Sequence, residues 1–326
     1  MSDGGERVER AVGQRRELVN DAIAEMLPVQ RPERLYEASR YLLDAGGKRL
    51  RPAVLLLAGE AIEGVEPFAG DYRSFGDDEV DLMAAAVSIE TIQSFTLIHD
   101  DIMDDDDVRR GVPAVHREYD LETAILAGDT LYSKAFECML DTGAPADRSV
   151  RALDELARTC TRICEGQALD VEFEERPSVA PDEYLDMVEF KTAVLYAAAA
   201  AIPAILLGAD DEVVEALRGY GLDVGRAFQI HDDLLDLTTP SETLGKQRGS
   251  DLIEGKRTIV SLHAREQGVD VDTLVPGERD SVTEADIDAA VSELTDAGSI
   301  EYAREMAQEY VERGKDRLEI LPDGEA

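Results

Sequence analysis

Apolar residues recur at spacings of three and four along most of this chain, and this periodicity constrains the fold more than any other feature. It is clearest in residues 33–46, 80–98, 150–171 and 300–321. Such spacing places apolar side chains on one face of an α-helix, whereas a half-buried strand needs strict alternation, of which we find no convincing example. The chain is therefore predicted to be all-α.

Turn-forming stretches separate the predicted helices, but none resembles a long flexible linker. They lie at 44–52, 63–80, 141–149, 174–183 and 238–258. With 326 residues, of which 44% are apolar, the chain can bury a substantial core. We expect a single domain over residues 1–326. The segments 63–80 and 269–288 match no functional block, and we interpret them as surface additions.

The sequence favours a cytoplasmic protein without an integral membrane segment. No charged-then-apolar leader opens the chain. The best membrane candidate, residues 192–209, is rich in alanine and interrupted by Pro203, which favours a core helix. Cys138, Cys160 and Cys164 lack CxxC spacing, so buried thiols in a reducing compartment are favoured over a disulfide or a zinc site.

The charge balance narrows the class of partner. There are 71 acidic and 33 basic residues, a net charge of -38. This charge repels nucleic acid and anionic membranes, so an anionic ligand would need a locally basic or metal-loaded cavity. The acidic, lysine-poor composition also indicates a halophilic protein. The lysines are Lys48, Lys134, Lys191, Lys246, Lys256 and Lys315.

A short internal repeat distinguishes some aspartates from this acidic background. Residues 98–104 read IHDDIMD and residues 230–236 read IHDDLLD, so five of seven positions are identical. General acidity does not place an isoleucine and a histidine in register with the aspartates. His99 and His231 are interpreted as packing residues rather than ligands. Asp105, Asp106 and Asp107 have no counterpart in the second copy.

The repeated aspartates have the spacing of paired metal ligands. On a helix, Asp100 and Asp104 project from one face, and so do Asp232 and Asp236. Oxygen ligands without cysteine suit Mg2+, which takes one or two carboxylates together with substrate phosphates. A calcium EF-hand is disfavoured because the loop pattern fails in every register.

Several motifs in order resemble the trans-prenyltransferases, the polyprenyl diphosphate synthase family that includes the archaeal geranylgeranyl diphosphate synthases. They are GGKRLRP (46–52), DDIMDDDDVRRG (100–111), GQALD (166–170), KT (191–192), GRAFQIHDDLLD (225–236) and GKQRGSDLIEGKRT (245–258). The resemblance covers nearly the whole chain. It implies the all-α isoprenoid synthase fold, a single helical bundle around a central cavity, and a homodimer.

The resemblance also implies a reaction. An allylic diphosphate ionises, isopentenyl diphosphate attacks the allyl cation, and loss of a proton leaves a chain five carbons longer. Two aspartate triads would hold about three Mg2+ ions on the leaving diphosphate. The triads are Asp100, Asp101 and Asp104, and Asp232, Asp233 and Asp236; Asp100, Asp104 and Asp232 are the expected direct ligands, and Asp170 would assist through water.

The cationic and polar residues of the motifs fall into two groups by resemblance. Arginine binds diphosphate through two parallel hydrogen bonds and lysine acts as a point charge. The isopentenyl diphosphate pocket would contain Lys48, Arg51, Gln93 and Arg110, where many relatives have histidine in place of Gln93. The allylic site would contain Arg109, Lys191, Lys246 and Lys256, with Thr192 and Gln229 offering dipoles to the cation.

The lysine positions support this assignment. A single motif lysine is ordinarily a solvated surface cation. Here four of the six lysines in the chain fall on expected diphosphate-binding positions. A surface depleted of lysine thus retains it where a phosphate would need it.

Product length is predicted from the residues before the first motif. In the family a bulky residue five positions before the motif often limits the depth of the tunnel, and Phe95 with the small Thr96 matches this pattern. The expected product is geranylgeranyl diphosphate (C20), although simple core packing of Phe95 remains an alternative. Farnesyl or C25 diphosphate is the other possible product.

Two further functions are weighed against elongation. A terpene cyclase generally replaces the second DDxxD motif and needs no second diphosphate pocket. The non-catalytic alternative is a regulatory subunit of a heteromeric synthase or an acidic cation-binding protein. Inactive subunits usually lose aspartates from one motif. This chain retains both motifs together with Lys48 and Arg51.

Overall fold

Helices make up nearly all of the regular structure, so the all-α prediction is confirmed. The computed structural model describes residues 3–68, 70–241, 247–275 and 282–322. The helices are α1 (Asp3–Met26), α2 (Glu33–Asp44), α3 (Leu50–Glu63), α4 (Leu82–Met103), α5 (Val115–Glu118), α6 (Leu121–Leu140), α7 (Ala146–Glu175), α8 (Pro181–Val188), a π-helix (Glu189–Ala193), α9 (Val194–Leu207), α10 (Asp211–Thr238), α11 (Ser250–Ile253), α12 (Ile259–Glu266), α13 (Glu284–Asp296) and α14 (Ser299–Arg317), with short 3-10 turns at Val271–Thr273 and Leu318–Ile320.

Side-chain caps mark the starts of α4 and α6. Asp81 accepts a hydrogen bond from the backbone N of Ala84 at 2.8 Å, and α4 begins at the next residue. Asp120 accepts one from Thr123 N at 2.7 Å in the same way before α6. Each cap satisfies a backbone donor that the first helical turn leaves without a partner.

The chain divides into two compact units. The first contains Met1–Cys160, Leu195–Arg218 and Glu319–Ala326, and the second contains Thr161–Val194 and Gly219–Leu318. The boundaries fall inside α7, at the start of α9 and inside α10. Each unit is therefore formed from more than one stretch of sequence.

Helix α4 is the central element of the first unit. Every residue from 82 to 92 is buried, and the helix packs against α1, α3 and α6. A helix that is apolar on all sides is expected in the interior of a domain. The C-terminal half of α4 is less buried, and this half ends in the first aspartate motif.

The segment 63–80 is anchored and not merely a surface addition. Tyr72 and Phe75 are only 5% and 3% exposed. Tyr72 donates a hydrogen bond to Glu60, which also forms a fully buried ion pair with Arg15 of α1. The burial of Tyr72 and Phe75 was not predicted from the sequence, because these two aromatic residues lie among many polar ones.

The second unit has its own apolar core, which is formed by α8, α10, α12, α13 and α14 together with the end of α7. The largest contributors are Phe173, Tyr184, Met187, Ile230, Leu234, Ile259, Leu262, Leu294 and Ile300. This core supports the part of α10 that carries the second aspartate motif.

Within the described ranges, two helical stretches are long and apolar enough to cross a membrane, Leu82–Met103 and Pro181–Leu207. However, 72% of the apolar window of the first and 83% of that of the second is buried within the protein. Length and composition are weak evidence for a span when the helix is buried in this way. The burial agrees with the core helix predicted from residues 192–209.

Candidate active site

The first aspartate motif lies at the C-terminal end of α4. The backbone N of Asp104 donates to the carbonyl of Asp100 at 2.8 Å, so the last helical turn closes between these two residues. Residues four apart share one helix face, which puts both carboxylates on the same side. Asp104 is exposed, and Asp100 is partly exposed.

Asp101 has a different environment from its neighbours. Its side chain is fully buried, and Oδ1 accepts a hydrogen bond from Arg109 Nε at 2.5 Å. Burial raises the pKa of Asp101 to about 6, although the Arg109 guanidinium opposes the shift. In the part of the chain that the structure describes, the buried Oδ2 atom has no hydrogen-bond partner.

A two-stranded hairpin follows the motif and separates the two arginines. Strands β1 (Val108–Arg109) and β2 (Val112–Pro113) are antiparallel. Arg110 and Gly111 form the two-residue loop and have φ of 55° and 78°, as a type I′ turn requires. Arg109 turns toward Asp101, whereas Arg110 turns toward α2 and Glu90. The hairpin was not predicted from the sequence, because strands of two residues are too short to show an alternating pattern.

Arg110 is held against the GGKRLRP motif. Its Nη1 atom donates to the carbonyls of Leu42 at 3.0 Å and Gly46 at 2.6 Å. A Cβ atom on Gly47 would lie 3.0 Å from the Arg110 guanidinium carbon, so glycine allows the loop to lie flat on this group. Lys48, the next residue, is exposed.

Glu90 is the shared acceptor beneath this cluster. It is 3% exposed and accepts hydrogen bonds from Arg49 and, at 3.2 Å, from Arg110 Nη2. Sequence reasoning did not identify Arg49 or Glu90. The available signal was one acidic residue inside the otherwise apolar first half of α4, since a buried charge is normally paired.

The remaining residues assigned to the isopentenyl pocket lie on α3 and α4. The guanidinium of Arg51 lies 4.2 Å from the centre of the Tyr196 ring, a cation–π distance. Gln93 is partly buried, and its backbone carbonyl accepts a hydrogen bond from Thr96 Oγ1 at 2.9 Å. The ring of Phe95 contacts His99 and Tyr132 at centroid distances of 4.9 Å and 5.3 Å.

In the second motif, on α10, the first two aspartates resemble Asp100 and Asp101 in their exposure, whereas Asp236 is buried and Asp104 is exposed. Asp232 is exposed. Asp233 is buried and accepts hydrogen bonds from Tyr184 and from Gln229 Nε2, the latter at 2.9 Å. Burial raises the pKa of Asp233 to about 8, against the effect of the Tyr184 hydrogen bond. Tyr184 is a further residue that sequence reasoning did not identify.

Asp236 supports the loop after α10. It accepts hydrogen bonds from Ser250 Oγ at 2.8 Å and from Asp251 N at 3.1 Å. Lys256 lies 3.5 Å from Asp251 and 3.3 Å from Glu254. Lys246, which was assigned to the allylic site, lies outside the described residues.

Lys191 and Thr192 lie in the π-helix. Lys191 Nζ forms an ion pair with Asp170 at 2.6 Å, and Thr192 Oγ1 donates to Gln229 Oε1 at 3.0 Å. The structure therefore brings together the GQALD, KT and second aspartate motifs within the second unit.

The donor set fits a hard cation. Among the described residues, no three histidine, cysteine or acidic side chains converge on one point. The accessible Asp100 and Asp104 of the first unit and Asp232 of the second nevertheless each offer oxygen ligands. Asp101 Oδ2 is a buried acceptor with no donor among the described residues. This chemistry suits Mg2+ bound by few carboxylates and completed by water and phosphate oxygens.

Comparison with known proteins gives consistent matches. Residues 32–294 match the polyprenyl synthetase family. A geranylfarnesyl diphosphate synthase from Natronomonas pharaonis is 72% identical over 98% of this chain and 94% of its own length. A geranylgeranyl diphosphate synthase from Methanosarcina mazei is 53% identical over 94% and 89%, respectively. The solved geranylgeranyl pyrophosphate synthetase of Geoglobus acetivorans has a TM-score of 0.86 and 46% identity over 96% of this chain and 94% of that one.

Proposed function

Because the chain belongs to the polyprenyl synthetase family of prenyltransferases, we propose that it elongates allylic diphosphates with isopentenyl diphosphate. One observation carries the proposal. In both aspartate motifs the first carboxylate is accessible, whereas the second is buried and accepts a hydrogen bond from a fixed donor. This pattern fits a metal-binding role for the first aspartate of each motif and an orienting role for the second.

The side chains divide the reaction between them. Asp100, Asp104 and Asp232 would hold Mg2+, which neutralises the diphosphate and makes it a better leaving group. Arg109 and Lys191 would bind the allylic diphosphate, with Lys256 and Lys246 assigned to the same substrate by resemblance. The Thr192 and Gln229 oxygens would stabilise positive charge at the allylic carbon.

The second substrate would use the cluster around Glu90. Lys48, Arg51, Gln93 and Arg110 are the proposed ligands of isopentenyl diphosphate. Arg110 is held by two carbonyls and by Glu90, so its charge is fixed in place before the substrate arrives. A preorganised cation binds diphosphate without losing side-chain freedom at that step.

For product length we propose geranylgeranyl diphosphate, on the basis of Phe95 and Thr96. Phe95 is held between His99 and Tyr132, so its ring has a defined orientation that could limit a growing chain. The second candidate is the C25 product, geranylfarnesyl diphosphate. This candidate is supported by the 72% identical relative from Natronomonas pharaonis, which is a geranylfarnesyl diphosphate synthase.

We further propose that residues 1–326 act as one synthase domain, that the protein is cytoplasmic and adapted to high salt, and that it forms a homodimer. The dimer is supported by exposed apolar side chains on α6, where Leu121, Ile125 and Leu126 are 48%, 40% and 56% exposed. An exposed apolar patch commonly marks a protein interface.

A single assay tests the function. The protein is incubated in high salt with Mg2+, labelled isopentenyl diphosphate and dimethylallyl, geranyl or farnesyl diphosphate, and the products are separated by chain length. We expect elongation to C20, with C25 as the alternative end point. Absence of elongation would exclude the proposed activity, and a cyclic hydrocarbon would indicate a cyclase.

A further inference from the structure

The π-helix Glu189–Ala193 is enclosed by two glycines. π-helical turns are rare and occur mostly at functional sites. A Cβ atom on Gly166 of α7 would lie 2.2 Å from Lys191 N, and one on Gly225 of α10 would lie 2.4 Å from Ala193 Cα. Both neighbours are backbone atoms, which cannot yield as a flexible side chain does. Only glycine lets α7 and α10 approach the π-helix this closely.

An ion pair connects the same elements. Arg226, adjacent to Gly225, donates to Glu189, the first residue of the π-helix. The two side chains are 20% and 24% exposed, so the pair is only partly screened by solvent. Arg226 also lies 3.9 Å from Asp223, a buried carboxylate that accepts hydrogen bonds from Arg313 and Arg317 of α14.

The polar groups of the π-helix are oriented from the same two helix faces. Asp170, the partner of Lys191, lies four residues after Gly166, and Gln229, the partner of Thr192, lies four residues after Gly225. Residues four apart share a helix face. On both α7 and α10, therefore, a single face packs against the π-helix backbone and also binds one functional side chain of the π-helix.

We propose that Gly166, Gly225 and the Glu189–Arg226 ion pair are positioning residues, which hold the π-helix so that Lys191 Nζ and Thr192 Oγ1 stay aimed at the allylic substrate. This inference rests on the function proposed above. None of the positioning side chains needs to touch substrate, because each acts through the π-helix.

Substitution of Arg226 tests the proposal with two readouts. In Arg226→Gln, hydrogen exchange of the amides of residues 189–193 should become about tenfold faster. The kcat should fall about tenfold or more, since small misplacements of reacting groups are costly, while KM for isopentenyl diphosphate stays unchanged. Arg226→Lys should recover part of both effects, because it retains the charge. Gly225→Ala should reproduce the loss of kcat in a folded protein.

Arg218→Gln is the matched control. Arg218 is also on α10, is 25% exposed, and pairs with Glu155 and Glu215 rather than with the π-helix. Equal effects of Arg218→Gln and Arg226→Gln on exchange and kcat would overturn the proposal. If Gly225→Ala does not fold, the comparison of Arg226→Gln with Arg218→Gln still tests the proposal. A wild-type protein without elongation would refute the proposed function separately, because the exchange comparison needs no substrate.

Discussion

Carboxylates in this protein serve different purposes according to their burial. Most of the 71 acidic residues belong to a polyanionic surface. Several of the described acidic residues are instead buried with defined donors; examples are Glu60 with Arg15 and Tyr72, Asp101 with Arg109, and Asp223 with Arg313 and Arg317. A buried charge survives only where such partners compensate for lost hydration.

The Glu60 pair gives a prediction about stability. Glu60→Gln would leave the fully buried Arg15 guanidinium without a counter-ion, which should lower the free energy of unfolding by about 3 kcal/mol or more. Chemical denaturation at constant high salt measures the difference. Glu63→Gln, an exposed position on the same helix, is the control. If both variants lose the same stability, Glu60 does not anchor segment 63–80.

Phe95 carries the prediction about product length. Phe95→Ala removes a ring from the aromatic group on α4 and α6, so the product should lengthen by at least one five-carbon unit. Chain-length analysis of the products measures this. Phe136→Ala, which removes a ring of equal size that contacts the same Tyr132, is the control. An unchanged product, or an equal change in both variants, would mean that Phe95 only packs.

At the level of elements, the sequence predicted the helices well and the connections poorly. The strong apolar periodicity of α2, α4, α7 and α14 is a local property of the sequence, so these helices could be predicted without a structure. The hairpin that separates Arg109 from Arg110 could not be predicted in this way, because two-residue strands have no measurable periodicity. Resemblance identified both arginines, but only the structure shows that adjacent residues turn toward different partners.

The same limit applies to Glu90, Arg49 and Tyr184. Their importance depends on contacts between residues that lie 20 to 49 positions apart. A single sequence contains no record of such pairing. The lone acidic residue in an apolar helix was a usable but unspecific signal.

The Glu90 cluster gives a prediction that separates the two substrates. Glu90→Gln removes the charge that holds Arg49 and Arg110 together, so KM for isopentenyl diphosphate should rise about tenfold, a loss of about 1.4 kcal/mol of binding. The KM for the allylic substrate should stay the same. Steady-state kinetics with each substrate varied in turn measures this, with Glu137→Gln on α6 as a surface control. An equal rise in both KM values would contradict a role of Glu90 specific to isopentenyl diphosphate.

For the whole molecule, charge should dominate the response to solvent. With a net charge of -38, self-repulsion opposes the folded state at low ionic strength. The surface ion pairs, such as Arg34–Asp120 and Arg151–Asp211, are exposed and contribute little each. Most of the repulsion must therefore be reduced by dissolved cations rather than by arginine.

This balance predicts that Tm rises with KCl. The screening length falls from about 10 Å at 0.1 M to about 3 Å at 1 M salt, and for a chain of 326 residues each kcal/mol gained should raise Tm by about 1–2 °C. Thermal unfolding over a KCl series measures the effect. Sucrose at equal osmolality is the comparison, because it strengthens burial without screening charge. An identical response to sucrose would contradict a charge-based mechanism.

The unit boundaries inside α7 and α10 also limit which rearrangements of the gene can yield a folded protein. Where modules are joined by linkers, a gene can split, duplicate or exchange one of them. Here the cuts after residues 160 and 218 would break α7 and α10, and each unit would still consist of separate stretches of sequence. New product specificities are therefore expected to arise by point substitution along intact helices, and laboratory recombination should succeed only with crossovers in the loops.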